Sequence, residues 1–276
     1  MVVPNLKSLN SATWVWNNGK YQPYRYRRKA MRIRRIKFVV LDGDGVIYDL
    51  PIKQEDSPKV AASTWNVLFS RLGIYEEHER LKRKFIAGEF KSYVEWTNAA
   101  CKVLKDFGLK KKIFEDVMET RQIAAGVSET VSELRKHGII VATISGSFEG
   151  LSQRAKSTLP LDAYAGHCRL IFDRKGSLSD WRLRRCDYED KVSVMRRMGR
   201  KFGVGVDECS FVGHEVNDIP ALKASGLGIA LNAHKEKVRR AADISVKGDV
   251  TAILKLILVA QAPELEPVTA PLELSL

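Results

Sequence analysis

Apolar and polar positions along this chain follow different rhythms in different stretches. Phe38-Val39-Val40-Leu41 is a continuous apolar run with β-branched residues, the pattern of a strand buried on both faces. It stops at Asp42-Gly43-Asp44-Gly45, so an acidic cluster falls at the strand's carboxyl end. Across residues 57–125 the spacing becomes helical. Ser57-Pro58 reads as an N-cap with proline at the first helical position. Val60, Ala61, Trp65, Leu68 and Leu72 follow at helical intervals, and Gly73 closes the helix. A second helix is expected from about Glu76 to Ala87, ended by Gly88. Ser92 and Glu95 form a capping box. It opens a third helix with Tyr93, Trp96, Ala100, Leu104 and Phe107 on one face and Gly108 at its end. Ile113, Phe114, Val117 and Met118 mark a fourth, ending by Gly126. Short helices with brief connections predict a small bundle.

From residue 128 onward helices and strands alternate. Helices are expected at Ser128–His137, Tyr188–Phe202, Ile219–Ala224, about 235–242, and Val250–Leu258. Strands are expected at Ile139–Ile144, Cys209–Val212, Leu227–Leu231 and Ile244–Val246, with a β-hairpin excursion over 168–185. Such alternation predicts an α/β fold: a doubly wound, mostly parallel Rossmann-like sheet. The division expected is therefore a core of 31–56 and 126–259, a helical cap inserted at 57–125, and a flexible tail at 260–276. Ligands of such sheets bind at the carboxyl ends of strands.

Charge changes this picture mainly at the N-terminus. The chain has 276 residues with a formal net charge of +13. Residues 1–30 contribute Lys7, Lys20, Arg25, Arg27, Arg28 and Lys29 and no acid. They show no sustained periodicity and are expected to be a disordered basic leader, with Met31 an alternative start. Trp14, Trp16, Tyr21, Tyr24 and Tyr26 lie among the charges, a mixture that suits nucleic acid. A charge run is more often a solvated tail, so nucleic acid is not the expected partner. Cys101, Cys168, Cys186 and Cys209 match no zinc spacing and are too few for a secreted disulfide scaffold. No apolar stretch is long enough to span a bilayer, and a cytoplasmic setting is expected.

Asp42 and Asp44 put two carboxylates on one tight loop. Such a pair can divide labour, one ionised as nucleophile and the other trading a proton. It can also share a hard cation such as Mg²⁺. A calcium EF-hand is excluded, because the fifth and sixth loop positions are Val46 and Ile47. A plain Asp/Gly turn is the structural alternative for the tetrapeptide alone.

Four segments in order carry a resemblance. Val39-Val-Leu-Asp42-Gly-Asp44-Gly45-Val46 resembles the first motif of the haloacid-dehalogenase-like phosphohydrolases. Thr143-Ile-Ser145-Gly146 is similar to the second, Lys191 at the start of a helix to the third, and Phe211-Val-Gly213-His214-Glu215-Val-Asn217-Asp218 to the fourth. The bundle inserted after the first motif resembles the cap of the phosphoserine-phosphatase-like branch. The resemblance implies a metal-dependent phosphatase acting on a small phosphorylated metabolite. It implies that Asp42 attacks phosphorus and that Asp44 protonates the leaving group and then activates water. Ser145 and Gly146 would hold phosphoryl oxygens with Lys191, and Mg²⁺ would sit among Asp42, Asp44 and a side chain of the fourth motif. A catalytically impaired relative that binds a phosphorylated ligand or nucleic acid as a regulator is the alternative.

One position departs from the family pattern. His214 stands where an aspartate usually ligates the metal. Imidazole is a poor partner for Mg²⁺ and suits transition metals better. Glu215 takes over, or His214 ligates a softer ion such as Mn²⁺, or metal binding is weak; Asp218 completes the candidate metal residues. The substrate clamp departs as well. Pro51 stands about where the family has an amine-holding glutamate, and no arginine lies between Arg83 and Arg121. Strong preference for phosphoserine is therefore not expected, unless Glu55 or Lys91 substitutes.

Overall fold

The computed structural model describes residues 12–17, 20–25, 35–49 and 63–259. Its centre is β3 (Phe38–Leu41), flanked in parallel by β4 (Ile140–Phe148) and β7 (Cys209–Gly213). Beyond β7 lie β8 (Leu227–Leu231) and β9 (Ile244–Val246), also parallel. Beyond β4 lies β5 (Ala163–Phe172), which turns back antiparallel into β6 (Leu178–Leu183). Every residue of β3 is buried. Period-two alternation sends Val39 and Leu41 to one face and Phe38 and Val40 to the other. The first face packs on α5 (Val127–Lys136), α6 (Glu149–Thr158) and α9 (Thr251–Val259). The second packs on α7 (Glu189–Lys201) and α8 (Ile219–Ala224). The expected doubly wound sheet is present.

Among the described residues, four helices separate β3 from α5: α1 (Thr64–Arg71), α2 (Tyr75–Ile86), α3 (Tyr93–Asp106) and α4 (Lys111–Thr120). Ser63 caps α1 by accepting from the Asn66 N–H. The Ser57-Pro58 signal lies outside the described residues. Ser92 caps α3 as expected, but Glu95 accepts from the Lys91 N–H instead of closing the box on Ser92. Phe107 follows α3 as its C-cap and is 55% exposed, not on the packing face. Trp65, Leu68, Trp96, Ala100 and Leu104 form the cap's core and extend it onto Phe148, Cys168 and Leu178 of the sheet. Two backbone hydrogen bonds, Asp49 N–H to Gln122 O (3.1 Å) and Ala124 N–H to Ile47 O (2.9 Å), join the two crossings between cap and core.

Within the segment expected to lack structure, β1 (Ala12–Asn17) and β2 (Lys20–Arg25) pair antiparallel, and β1 joins β9 in parallel through Val15 and Ser245. The register pairs Asn17 with Lys20. The two residues between them in sequence are Asn18-Gly19, the dipeptide that most favours a two-residue hairpin. A search for helical periodicity overlooks that signal. The tail expected at 260–276 lies outside the described residues. Among the described residues no helix is long and apolar enough to cross a membrane.

Candidate active site

The carboxyl ends of β3, β4 and β7 meet over one spot, where Asp42, Ser145 and His214 emerge. Asp42 is held there by its own N–H, which donates to Val212 O at 3.0 Å. Lys191, in the first turn of α7 and wholly buried, donates to Asp42 Oδ1 at 2.7 Å and to Asp218 Oδ1 at 2.5 Å. Its Nζ also lies 3.5 Å from Asp187 Oδ1. One ammonium thus faces three buried carboxylates. Burial opposes its charge, but Asp218, Asp42 and Asp187 hold it protonated far above the ordinary lysine range. Burial, then the charge of Asp218, pushes the Asp42 carboxyl well up, with Lys191 pulling the other way. Burial also opposes the charge on Asp218, but Lys191, His214 and the Glu215 N–H hold its pKa below the ordinary value.

Asp44 turns away from this cluster. Thr64, the first residue of α1, donates its N–H to Asp44 Oδ2 (2.9 Å) and its hydroxyl to Oδ1 (2.6 Å). Arg121 Nη2 lies 3.4 Å from the same Oδ1 and also donates to Asp49 O. The two carboxylates of the loop therefore face different environments, Asp42 the core lysine and Asp44 the cap. Neither Thr64 nor Arg121 stood out in the sequence; they act through the cap's position, which no local spacing encodes.

Ser145 is buried, and its Oγ accepts from the Ser147 N–H at 3.1 Å. The Gly146 carbonyl accepts from Tyr93 Oη (3.0 Å) and Trp65 Nε1 (3.5 Å), both from the cap. A Cβ on Gly146 would collide with the Asp187 carboxylate. Asp187 is itself a buried site residue that the sequence reading missed. Its only signal was its place four residues before Lys191, an ion-pair spacing. Asn217 donates to its Oδ1 at 2.8 Å.

The candidate metal residues separate. Ligand atoms of Asp42, His214 and Asp218 lie within 4.8 Å of one another. The Glu215 carboxylate is not in that group: Oε1 accepts from the Val216 N–H (2.7 Å) and from Lys235 Nζ (2.6 Å). Its side chain caps a 3-10 turn over Val216–Asp218. His214 lies over Gly45, whose positive φ of 79° and lack of a side chain admit the ring. Burial lowers the pKa of His214 against the pull of Asp218 and Glu215. Its Nδ1 is buried without a hydrogen-bond partner, 3.6 Å from Asp42 Oδ2. An orphaned imidazole nitrogen facing two carboxylates fits a divalent cation, and its nitrogen donor suits a transition ion better than Mg²⁺.

The family model for haloacid dehalogenase-like hydrolases matches residues 36–226. The chain belongs to this family. The proteins it resembles in sequence and in fold are phosphoserine phosphatases. It is 28% identical over 215 residues to phosphoserine phosphatase of Archaeoglobus fulgidus, covering 76% of this chain and 60% of that protein. It is 28% identical over 203 residues to that of Methanocaldococcus jannaschii, covering 73% and 94%. A crystal structure of phosphoserine phosphatase in apo form shares the fold at a TM-score of 0.66 and 23% identity, covering 80% of this chain and 98% of that one. A phospho-aspartyl intermediate analogue of phosphoserine phosphatase gives 0.67 at 24% identity, covering 81% and 99%. Metal dependence belongs to this family's chemistry, and the acidic group of Asp42, His214 and Asp218 is where a metal fits.

Proposed function

We propose that this hydrolase cleaves a small-molecule phosphomonoester in two steps through an aspartyl-phosphate on Asp42. The different surroundings of Asp42 and Asp44 carry this reading. The Asp42 carboxylate attacks phosphorus while Lys191, Ser145 and the N–H groups near Gly146 hold the phosphoryl oxygens. The bond from phosphorus to the ester oxygen breaks, and Asp44, oriented by Thr64 and Arg121, gives that oxygen its proton. Asp44 then takes a proton from water, whose oxygen attacks phosphorus. Inorganic phosphate leaves and the Asp42 carboxylate is restored. Asp42, His214 and Asp218 would hold a divalent cation, which when bound offsets the negative charge where carboxylates and phosphoryl group meet. Mn²⁺ serves this donor set at lower concentration than Mg²⁺. Residues 63–120 act as a cap over a core of 35–49 and 126–259, and the enzyme works in the cytoplasm. Asp42, Asp44, Ser145 and Lys191 would supply nucleophile, acid and anion-holding groups that a regulator does not need, which supports the enzyme over the regulatory alternative.

The test is turnover of an aryl phosphate by the purified protein with Mn²⁺ or Mg²⁺, compared with Asp42→Asn. Turnover should vanish in the variant while the far-ultraviolet circular dichroism is unchanged. Acid quenching of the wild type should trap phosphate on the protein. Wild-type rates in Asp42→Asn would exclude the covalent route.

A further inference from the structure

Beside the catalytic cluster, between cap and core, lies a cavity of about 670 Å³. Rings line much of it. Phe85 comes from α2, Tyr93 from α3 and Tyr188 from the residue preceding α7. Their centroids lie 5.5 Å (Phe85–Tyr188), 5.5 Å (Tyr93–Tyr188) and 6.1 Å (Phe85–Tyr93) apart, so they form one continuous aromatic wall. Trp96 stacks behind Tyr93 at 5.1 Å and 16°, fixing its plane. Asp187 also lines the cavity. Its carboxylate, pressed against Gly146 and 3.5 Å from Lys191, marks where the cavity meets the phosphoryl-holding residues. A phosphomonoester with its phosphoryl group at Asp42 therefore has this cavity for its alcohol.

Two features show that the wall is built for a purpose beyond filling space. Tyr188 has φ 49° and ψ −125°, a backbone conformation that is strained for a bulky residue. Asp187 and Tyr188, neighbours in the chain, both line the cavity. The volume is also in the range of sites for ring-bearing ligands, far larger than the side chain of a phosphorylated serine needs. The buried Asp187 carboxylate offers the alcohol an acceptor. Asn217 and Lys191 both approach Oδ1. A carboxylate at this wall favours a ligand that brings a hydrogen-bond donor over one that brings none.

Resting on the phosphatase reading above, the geometry points to a substrate class: phosphomonoesters of alcohols that carry a flat ring with an N–H donor. The ring packs against the wall at Tyr188, and the donor is met by Asp187. Lys91 and Arg185 stand at the same cavity. Arg185 is paired with Asp190 at 3.1 Å. The small amino-acid ester handled by the curated relatives is not the best fit.

The test compares kcat/KM for benzyl phosphate, 3-aminobenzyl phosphate, glycerol 3-phosphate and phosphoserine. The two ring esters should exceed both small esters by about tenfold or more, the scale of one well-made ring contact, with the amino ester ahead of the plain one. Tyr188→Leu should lower the ratio of ring to glycerol ester by several-fold, chiefly through KM. Asp187→Asn should erase the lead of 3-aminobenzyl over benzyl phosphate. Phosphoserine or glycerol 3-phosphate equal to or ahead of the ring esters would overturn the substrate class and leave the phosphatase reading standing. A ring preference that survives both substitutions would overturn the assignment to this wall. No turnover of any ester by the wild type would overturn the phosphatase reading and this inference together.

Discussion

On the core side of the cleft stand Asp42, Asp187, Lys191 and Asp218, each at most 5% exposed. On the cap side the corresponding depth is filled by Trp65, Trp96, Tyr93, Phe85 and His78, which touch one another ring to ring. The charged side is tightly determined, because each buried carboxylate is stable only with its share of Lys191 or a backbone N–H. The ring side is adaptable, because aromatic packing tolerates exchange of shape for shape.

The hardest way to break this asymmetry is Lys191→Met. It strands Asp42, Asp187 and Asp218 without their shared cation. Stability should fall by about 3–5 kcal/mol, the scale of removing one partner from a buried ionic group, and turnover by at least about a hundredfold. Denaturant unfolding and steady-state kinetics report both. A cap residue of equal burial, Trp65→Phe, should leave most of the stability in place. Equal losses in the two variants would show that the core cluster is no more constrained than the ring cluster.

Acid should next attack the ring side. Burial lowers His78 from 6.5 to about 4, although Glu79 pulls upward, and lowers His167 from 6.5 to about 4. His78 lies 3.1 Å from Asn66 Nδ2 and packs on Phe69 and Trp96; His167 packs on Tyr93 and lies 3.1 Å from Thr97 Oγ1. The folded pKa values are below the unfolded ones, so between these limits the unfolded chain binds more protons. The stability contribution is full above about pH 6.5 and is lost as pH falls toward 4, by at most about 3 kcal/mol per histidine. The thermal midpoint should therefore drop between pH 7 and 5, and His78→Gln should flatten part of that slope. A midpoint independent of pH over this range would show that neither ring is kept neutral by its surroundings.

The smallest effect sharpens the core side. His214→Asp replaces the orphaned Nδ1 with a carboxylate oxygen. Calorimetric titration of metal-free protein should show Mg²⁺ binding about tenfold tighter, and the advantage of Mn²⁺ should shrink. Unchanged Mg²⁺ affinity would place His214 off the metal.

Much of the framework was legible because buried strands and amphipathic helices write their period into the chain. Leu227–Leu231, Ile244–Val246 and Ile219–Ala224 fall at the expected limits. The helix α6 had no place in the sequence reading, since Gly150, Ser152, Gln153, Arg154 and Lys156 leave only Leu151 and Ala155 as buried apolar positions. Asp42, Ser145, Lys191 and Asp218 could be named because each lies within a recognisable motif, although β4 runs on past Ser145 to Phe148. Arg121 and Thr64 could not, since what matters about them is their contact with Asp44 across 77 and 20 residues of chain.

The sequence by itself determined the alternation of strands and helices, the acidic loop after β3 and the anomaly at His214. Those are properties of neighbours in the chain, set by side-chain periodicity and by which residue types tolerate a tight turn. It took the folded chain to show that Glu215 pairs with Lys235, that Asp44 answers to the cap, and that Asp187 and Tyr188 border one cavity. Each depends on which distant groups share a low-dielectric space, and partners separated by tens of residues leave no local period to read.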